Sequence, residues 1–327
     1  MRLDKNVLEQ VKQTKGTATF RGIIGGLSSD NALTNADKFT KLKFRIKSSD
    51  DNMHFVELID FVNKNYSMYK VNSPDDKDKY AILKLPYDKH ERSFEDIVSE
   101  IEMDMELNQI LEDKGLDLSK LTKDSFRQLG TIAVKANSEG ATEYMSNELA
   151  ITKILAEFED GDSVVLVCEK TTSGSEDRAF VSYNIKKIFK TKDDINFSAE
   201  GYTEQTELID DFVFDSISKS PAEKRAYVKG MAISYTGATV PIQYVVDWNE
   251  YSEDEAVANW ITSNCSYGDL VRVEGNIHNR VVYGEKSEGI GRTNRRSVER
   301  FIESEKRELQ IIGIVGVLGK YSHAQLS

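Results

Sequence analysis

Hydrophobic and polar residues alternate with a period of two along several stretches of the chain, the pattern of half-buried β-strands. The clearest case is Lys41-Leu42-Lys43-Phe44-Arg45-Ile46-Lys47, where Leu42, Phe44 and Ile46 share one face and four cations share the other. Similar patterning predicts strands at about 17–27, 39–48, 53–60, 163–171 and 178–191, and again at 226–235, 240–248, 269–277 and 308–317. By parity Phe44 and Phe55 are expected in the core. Helical spacing of apolar residues predicts helices at about 143–158 and 252–264, the second capped by Ser252. It also predicts a longer helix over 93–114 that stops at Lys114-Gly115, and a short one over 122–129 capped by Thr122.

Two segment matches suggest a duplication. Thr19-Phe20-Arg21-Gly22-Ile23-Ile24 parallels Tyr227-Val228-Lys229-Gly230-Met231-Ala232, each a strand with a basic residue before a glycine. Gly161-Asp162-Ser163-Val164 parallels Gly268-Asp269-Leu270-Val271, each a turn that opens a Val-rich strand after a helix. The first half then reads strand, strand, strand, helix, strand, strand, the order of an OB-type barrel. The expected fold is mainly β with helical insertions (α+β): two OB-type β-barrels, the first carrying a helical insertion at about 62–139. The domains expected are a barrel over 1–192, an acidic linker over 193–222, and a second, abbreviated barrel over 223–327 that is one strand short.

Charge refines this picture. The chain of 327 residues carries a net charge of −12, which by itself disfavours phosphate binding. The acids are segregated, however: 14 acids against 6 bases over 75–117, and eight acids with no base over 193–215. The stretch 280–307 reverses the sign, with eight bases against five acids. The strands are expected to be free of this acidity.

The candidate chemistry is nucleic-acid binding. In OB-type barrels the second and third strands take up oligonucleotides, so Lys41, Lys43, Arg45 and Lys47 form a candidate phosphate track. A solvated strand face that discourages edge pairing has the same composition. Phe20, Phe39, His54, Tyr66, Tyr69 and Tyr183 are candidate rings for stacked bases, with Phe39, His54 and Tyr183 placed on the binding face. Arg21, Lys229 and Arg272, the bases of the matched strands, join the set. A hairpin loop over 278–307, with Arg280, Arg292, Arg295, Arg296 and Arg300, is a candidate clamp; a mixed-charge surface loop with a short helix at 297–305 reads equally well.

No signature of catalysis, metal or cofactor binding is present. There is no phosphate-cradling Gly-Lys-Ser/Thr loop and no Gly-x-Ser-x-Gly elbow, and the four histidines and two cysteines lack ligand spacing. The expectation is therefore a non-enzymatic protein without a cofactor. No apolar run is long enough for a membrane span and the first 15 residues lack a signal-peptide core, so no membrane partner and a cytoplasmic location are expected.

The Phe20-Arg21-Gly22, Gly161-Asp162, Tyr227-Val228-Lys229-Gly230 and Tyr267-Gly268-Asp269 motifs together resemble tandem OB-fold proteins of bacteriophages that infect Gram-positive hosts. Those are described as single-stranded DNA-binding proteins of the replication module. The resemblance implies sequence-tolerant binding of single-stranded DNA in phage replication or recombination, in the cytosol of a bacterial host. Such proteins often end in an acidic tail, whereas this chain ends Tyr321-Ser322-His323-Ala324-Gln325-Leu326-Ser327. The acidic linker or the inserted helix could then engage replication proteins. The competing class is a protein-interaction or virion structural scaffold that binds no nucleic acid; fold alone does not separate the two.

Overall fold

The computed structural model describes residues 10–61, 65–76, 78–88, 92–175, 178–248, 254–288 and 297–326, with the backbone alone at 178, 254–255, 281–288 and 297–305. In chain order the strands are β1 (Lys15–Gly25), β2 (Leu33–Ala36), β3 (Phe39–Lys47), β4 (Met53–Phe61), β5 (Tyr66–Asn72) and β6 (Tyr80–Pro86), followed by helices α1 (Phe94–Met103) and α2 (Met105–Asp113). Then come β7 (Phe126–Gln128), β8 (Ile132–Lys135), β9 (Glu143–Met145), α3 (Asn147–Glu157), β10 (Ser163–Ser175), β11 (Arg178–Lys190) and β12 (Gln205–Ser220). The chain finishes with β13 (Arg225–Ile233), β14 (Thr239–Asp247), α4 (Asp254–Asn264), β15 (Asp269–Glu288) and β16 (Ser297–Lys320). The protein is mainly β, with few helices.

The chain divides into two compact units, one of residues 1–29, 43–57 and 159–327, the other of residues 30–42 and 58–158. In the first unit the strand pairings close on themselves twice. One circuit runs β1, β3, β4, β11, β10 and back to β1, with β11 parallel to β4 at Asn184 and Glu57. The other runs β12, β13, β14, β16, β15 and back to β12, with β16 parallel to β14 at Gln310 and Val245. Strand β1 also pairs antiparallel with β12, so the two circuits belong to one sheet.

This arrangement corrects the acidic linker. Residues 205–220 are the first strand of the second circuit, which is therefore complete. Thr206, Leu208, Asp210 and Phe212 point into the core while Gln205, Glu207 and Ile209 point out. Two adjacent acids, Asp210 and Asp211, hide this alternation in the sequence because one of them is an interior residue. The duplicated Gly-Asp turns do occupy matching places, each between a helix and the fourth strand of its circuit. In both, the aspartate side chain accepts from the backbone N–H three residues earlier, Glu159 to Asp162 at 3.0 Å and Ser266 to Asp269 at 2.9 Å. The Arg21-Gly22 and Lys229-Gly230 strands are not equivalent: one is first in its circuit and the other second.

The junction of the circuits is polar and buried. Gly16 on β1 lies opposite both Lys170 on β10 and Asp210 on β12. Having no side chain, it leaves room for the Asp210 carboxylate to reach the Lys170 ammonium at 2.5 Å; a β-carbon on Gly16 would come within 2.5 Å of Asp210 Oδ1. Lys170 and Asp210 are almost fully buried, and Tyr244 on β14 donates its hydroxyl to Asp210 at 2.6 Å.

In the second unit, β6, β5 and β7 form an antiparallel sheet. One face packs Tyr69, Val71, Ala81, Leu83 and Leu85 against Ile97 and Ile101 of α1 and Leu107 and Leu111 of α2. The insertion is thus a sheet covered by helices rather than an all-helical element. Its long helix is broken at Asp104, which ends α1 and caps α2 by accepting from the N–H groups of Glu106 and Leu107. The stretch expected as a helix over 122–129 is a single 3-10 turn, Lys123–Ser125, followed by β7. Around α3, Ser146 caps the helix and β8 pairs with β9. Ser252 lies outside the described residues.

Removing one member of a buried ion pair strands the other charge, at a cost of about 3–5 kcal/mol. Lys170→Met is expected to lower the unfolding free energy by that amount in urea titrations. Adding Asp210→Leu should recover most of the loss, short of about 1 kcal/mol for the hydrogen bond from Tyr244.

Candidate nucleic-acid interface

Strand β3 keeps the alternation read from its sequence. Leu42, Phe44 and Ile46 are buried, Lys43 and Arg45 are exposed, and Lys41 and Lys47 are half-buried. Phe39 and Lys41 fall in the stretch of β3 that belongs to the second unit, whereas Lys43, Arg45 and Lys47 belong to the first. On the outer face Lys43 Nζ sits 4.7 Å from the centre of the Phe55 ring, on neighbouring strand β4. Arg45 lies over Gly26, where a β-carbon would meet its Nε at 3.2 Å. Its charge also reaches Asp160. That carboxyl is held below its usual range first by the Ser28 hydroxyl, then by the backbone N–H groups of Leu27 and Ser28 and by Arg45.

Phe55 is therefore a surface ring, 46% exposed, and not the core residue expected. The signal was in the strand: Glu57 shares its parity, while Val56 and Leu58 take the opposite face. Phe180 on β11, also exposed, is a second surface ring that sequence reasoning missed. Of the rings expected to stack bases, Phe20, His54 and Tyr69 are buried, Phe39 and Tyr183 are half-buried, and Tyr66 is exposed. Phe20 is fully buried, and His54 is 2% exposed and stacks on Phe20 with ring centres 4.6 Å apart. Tyr183 is half-buried and meets Phe20 edge-on at 5.2 Å. Burial pushes the Tyr183 phenol well up, and the charge of Asp210 adds to it. Tyr69 is buried in the second unit. These aromatics close the inside of the first circuit and of the small sheet, where large rings fill volume that aliphatic side chains leave open.

The remaining candidates are dispersed. Arg21 is half-buried on β1, near enough to Tyr202 to act on its phenol. Lys229 is exposed on β13. Arg272 on β15 forks onto Asp211 of β12 through Nε and Nη2 at 2.6 and 2.7 Å, so its guanidinium is engaged within the protein. Arg280 is exposed and pairs with Asp51 at 2.8 Å, in the turn between β3 and β4. Asn52 in the same turn receives the Asn279 N–H at 2.7 Å, and Asn279 Nδ2 donates to the Met53 carbonyl. The base of the β15–β16 hairpin is thus fastened to the end of the β3–β4 hairpin. The clamp expected as a loop over 278–307 is for the most part this hairpin, paired as far as Glu288 and Ser297. Strand there replaces the helix read at 297–305. Arg292, Arg295 and Arg296 lie outside the described residues, and only the backbone is described at Arg300.

Among the described residues no group of His, Cys, Asp and Glu could hold a metal ion, and no helix is long and apolar enough to cross a membrane.

Burial holds the His54 imidazole far below its ordinary 6.5, at about 3, with the charge of His278 adding to the effect. Its neutral form is then the folded one, while the unfolded chain binds a proton below about pH 6.5. Stability contributed by His54 is complete above that pH and falls as pH drops toward 3, by up to about 1.4 kcal/mol per unit. His54→Phe should flatten this part of a pH series of urea midpoints.

A family model described as YorF matches residues 123–323. No curated protein matches the sequence. Among solved structures, the single-stranded DNA binding protein from Thermus aquaticus aligns with a TM-score of 0.36 and 9% identity over 93% of each chain. The family match spans α3, both circuits' fourth and fifth strands and all of β12, β13 and β14, and on it this chain belongs to the YorF family.

Proposed function

We propose that the protein binds single-stranded DNA without sequence preference, through the outer face of β3 and β4. The observation that carries this reading is the combination on that face of Lys43, Arg45 and Lys47 with the exposed Phe55 ring. Cations spaced about 6.8 Å apart along one side of a strand suit a phosphate backbone, and a surface ring beside them offers a π-face to a base. The two closed circuits, each with a helix between its third and fourth strands, support an OB-type reading of both, and β3 and β4 are the strands that such a barrel uses for oligonucleotides. The β15–β16 hairpin, tied at its base to the β3–β4 turn, would bring Arg280 to the same strand of DNA. The sequence resemblance to tandem OB-fold phage proteins extends the proposal to DNA replication or recombination in a phage-infected bacterial cytosol. We assign the protein no catalytic step.

Anisotropy of a labelled oligo-dT of about 30 nucleotides, with a duplex of equal length as control, tests this. Lys43→Glu with Arg45→Glu should weaken single-strand binding at least about tenfold and reduce the log–log salt slope by about 0.7 per lost contact. Phe55→Ala should cost roughly 1–3 kcal/mol. Unchanged affinity in both variants would reject this face, and absence of single-strand binding by the unaltered chain at low salt would favour the scaffold reading.

A further inference from the structure

The three-stranded sheet of the second unit has an open face. Its other face is covered by α1 and α2. Strict alternation puts Tyr66, Met68 and Lys70 of β5 and Tyr80, Ile82 and Lys84 of β6 on the open side. Arg127 of β7, exposed and opposite Lys70, joins them. Tyr66 and Tyr80 are 49% and 47% exposed, and large rings left at both ends of a solvent face call for an occupant.

Charge on this unit is sorted by layer. The helix layer carries Glu95, Asp96, Glu100, Glu102, Glu106, Glu112 and Asp113. On the open face the three strands present Lys70, Lys84 and Arg127, and no acid occupies a strand position among the described residues. The acids of the hairpin, Asp75, Asp76 and Asp78, are confined to its tip. In a chain of net charge −12, a strand surface with cations alone selects a negatively charged occupant.

The rings specify which kind. Lys70 Nζ lies 4.2 Å from the centre of Tyr80, and Lys84 Nζ 5.1 Å from the centre of Tyr66. Each ring therefore offers a face to an ammonium, and a base can take the place of that ammonium. The displaced lysine keeps its charge and needs only a small swing to meet the phosphate that follows the base. An acidic peptide would use the lysines but leave the rings unmatched. Register places Tyr80 opposite Asn72, six residues from Tyr66, so the two rings stand about 20 Å apart along the strands.

We propose that the open face of this sheet is a second binding platform for single-stranded nucleic acid, with Tyr66 and Tyr80 stacking bases and Lys70, Lys84 and Arg127 holding phosphates. It uses no residue of the β3–β4 face and does not depend on binding there.

The test uses the full chain with an oligo-dT carrying photoreactive 5-iododeoxyuridine, followed by peptide mass spectrometry, and anisotropy on surface variants. Adducts on Tyr66 or Tyr80 are expected. Tyr66→Ala and Tyr80→Ala should each weaken binding by about fivefold to hundredfold. Lys70→Glu, Lys84→Glu and Arg127→Glu together should lower the salt slope by about 2. All these side chains are at the surface, and thermal melts of each variant check that the fold is kept. Absence of adducts with unchanged affinity overturns the platform and leaves the face to a protein. That result with binding still lost in the Lys43→Glu, Arg45→Glu variant leaves the β3–β4 proposal standing; loss in the platform variants alone upholds the platform and rejects the β3–β4 face.

Discussion

The buried pair between Lys170 and Asp210 sits where the two circuits of the first unit join through the β1–β12 ladder. Its two partners come from different circuits, β10 and β12, and the strand between them contributes only Gly16 at that position. Both charges are out of water, where each must be matched. Tyr244 supplies a hydrogen bond from a third strand, and the Asp210 charge adds to the burial that holds its phenol proton. The apolar cores on either side, with Phe20 and Phe44 in one circuit and Phe212 and Val228 in the other, would accept many arrangements. A buried ion pair with a glycine opposite accepts few. It specifies which strands meet and in what register, which is the best-attested use of a buried polar group.

The closed pairing determines what the surface can offer. Once β3 is held between β1 and β4, one side of it must be interior, and the large apolar side chains take that side. The cations are then outward without any further device. The same rule separates the aromatics: His54, Phe20 and Tyr183 fill the inside, while Phe55 is left outside under Lys43. The proposed DNA-binding face is thus the complement of the core, and its rings are those the core did not take up.

The insertion follows the same rule with a different partition. Its helices cover one face of a small sheet and carry the acids; the uncovered face keeps tyrosines and cations. Net charge conceals both basic surfaces, because most of the acids lie elsewhere, although Glu57 shares the β4 face with Phe55.

Much of this was legible in the chain itself. Period-two patterning located the strands of both circuits other than β12, with the far halves of β15 and β16 missed, since side chains of a half-buried strand must alternate. The Gly-Asp turns were recognisable because the aspartate caps its own turn, a local interaction. The Lys41–Lys47 alternation was legible for the same reason. Non-local geometry decided the rest. Asp210 looks like a linker acid until Lys170, 40 residues away, is placed opposite it across Gly16. His54 looks like a ligand for bases until Phe20 is stacked on it. Residues 66–86 show alternation, but which face is covered depends on α1 and α2 and on the charge those helices carry. Local periodicity determines that a strand has two faces; only packing against distant elements decides which of them the solvent, and any ligand, can reach.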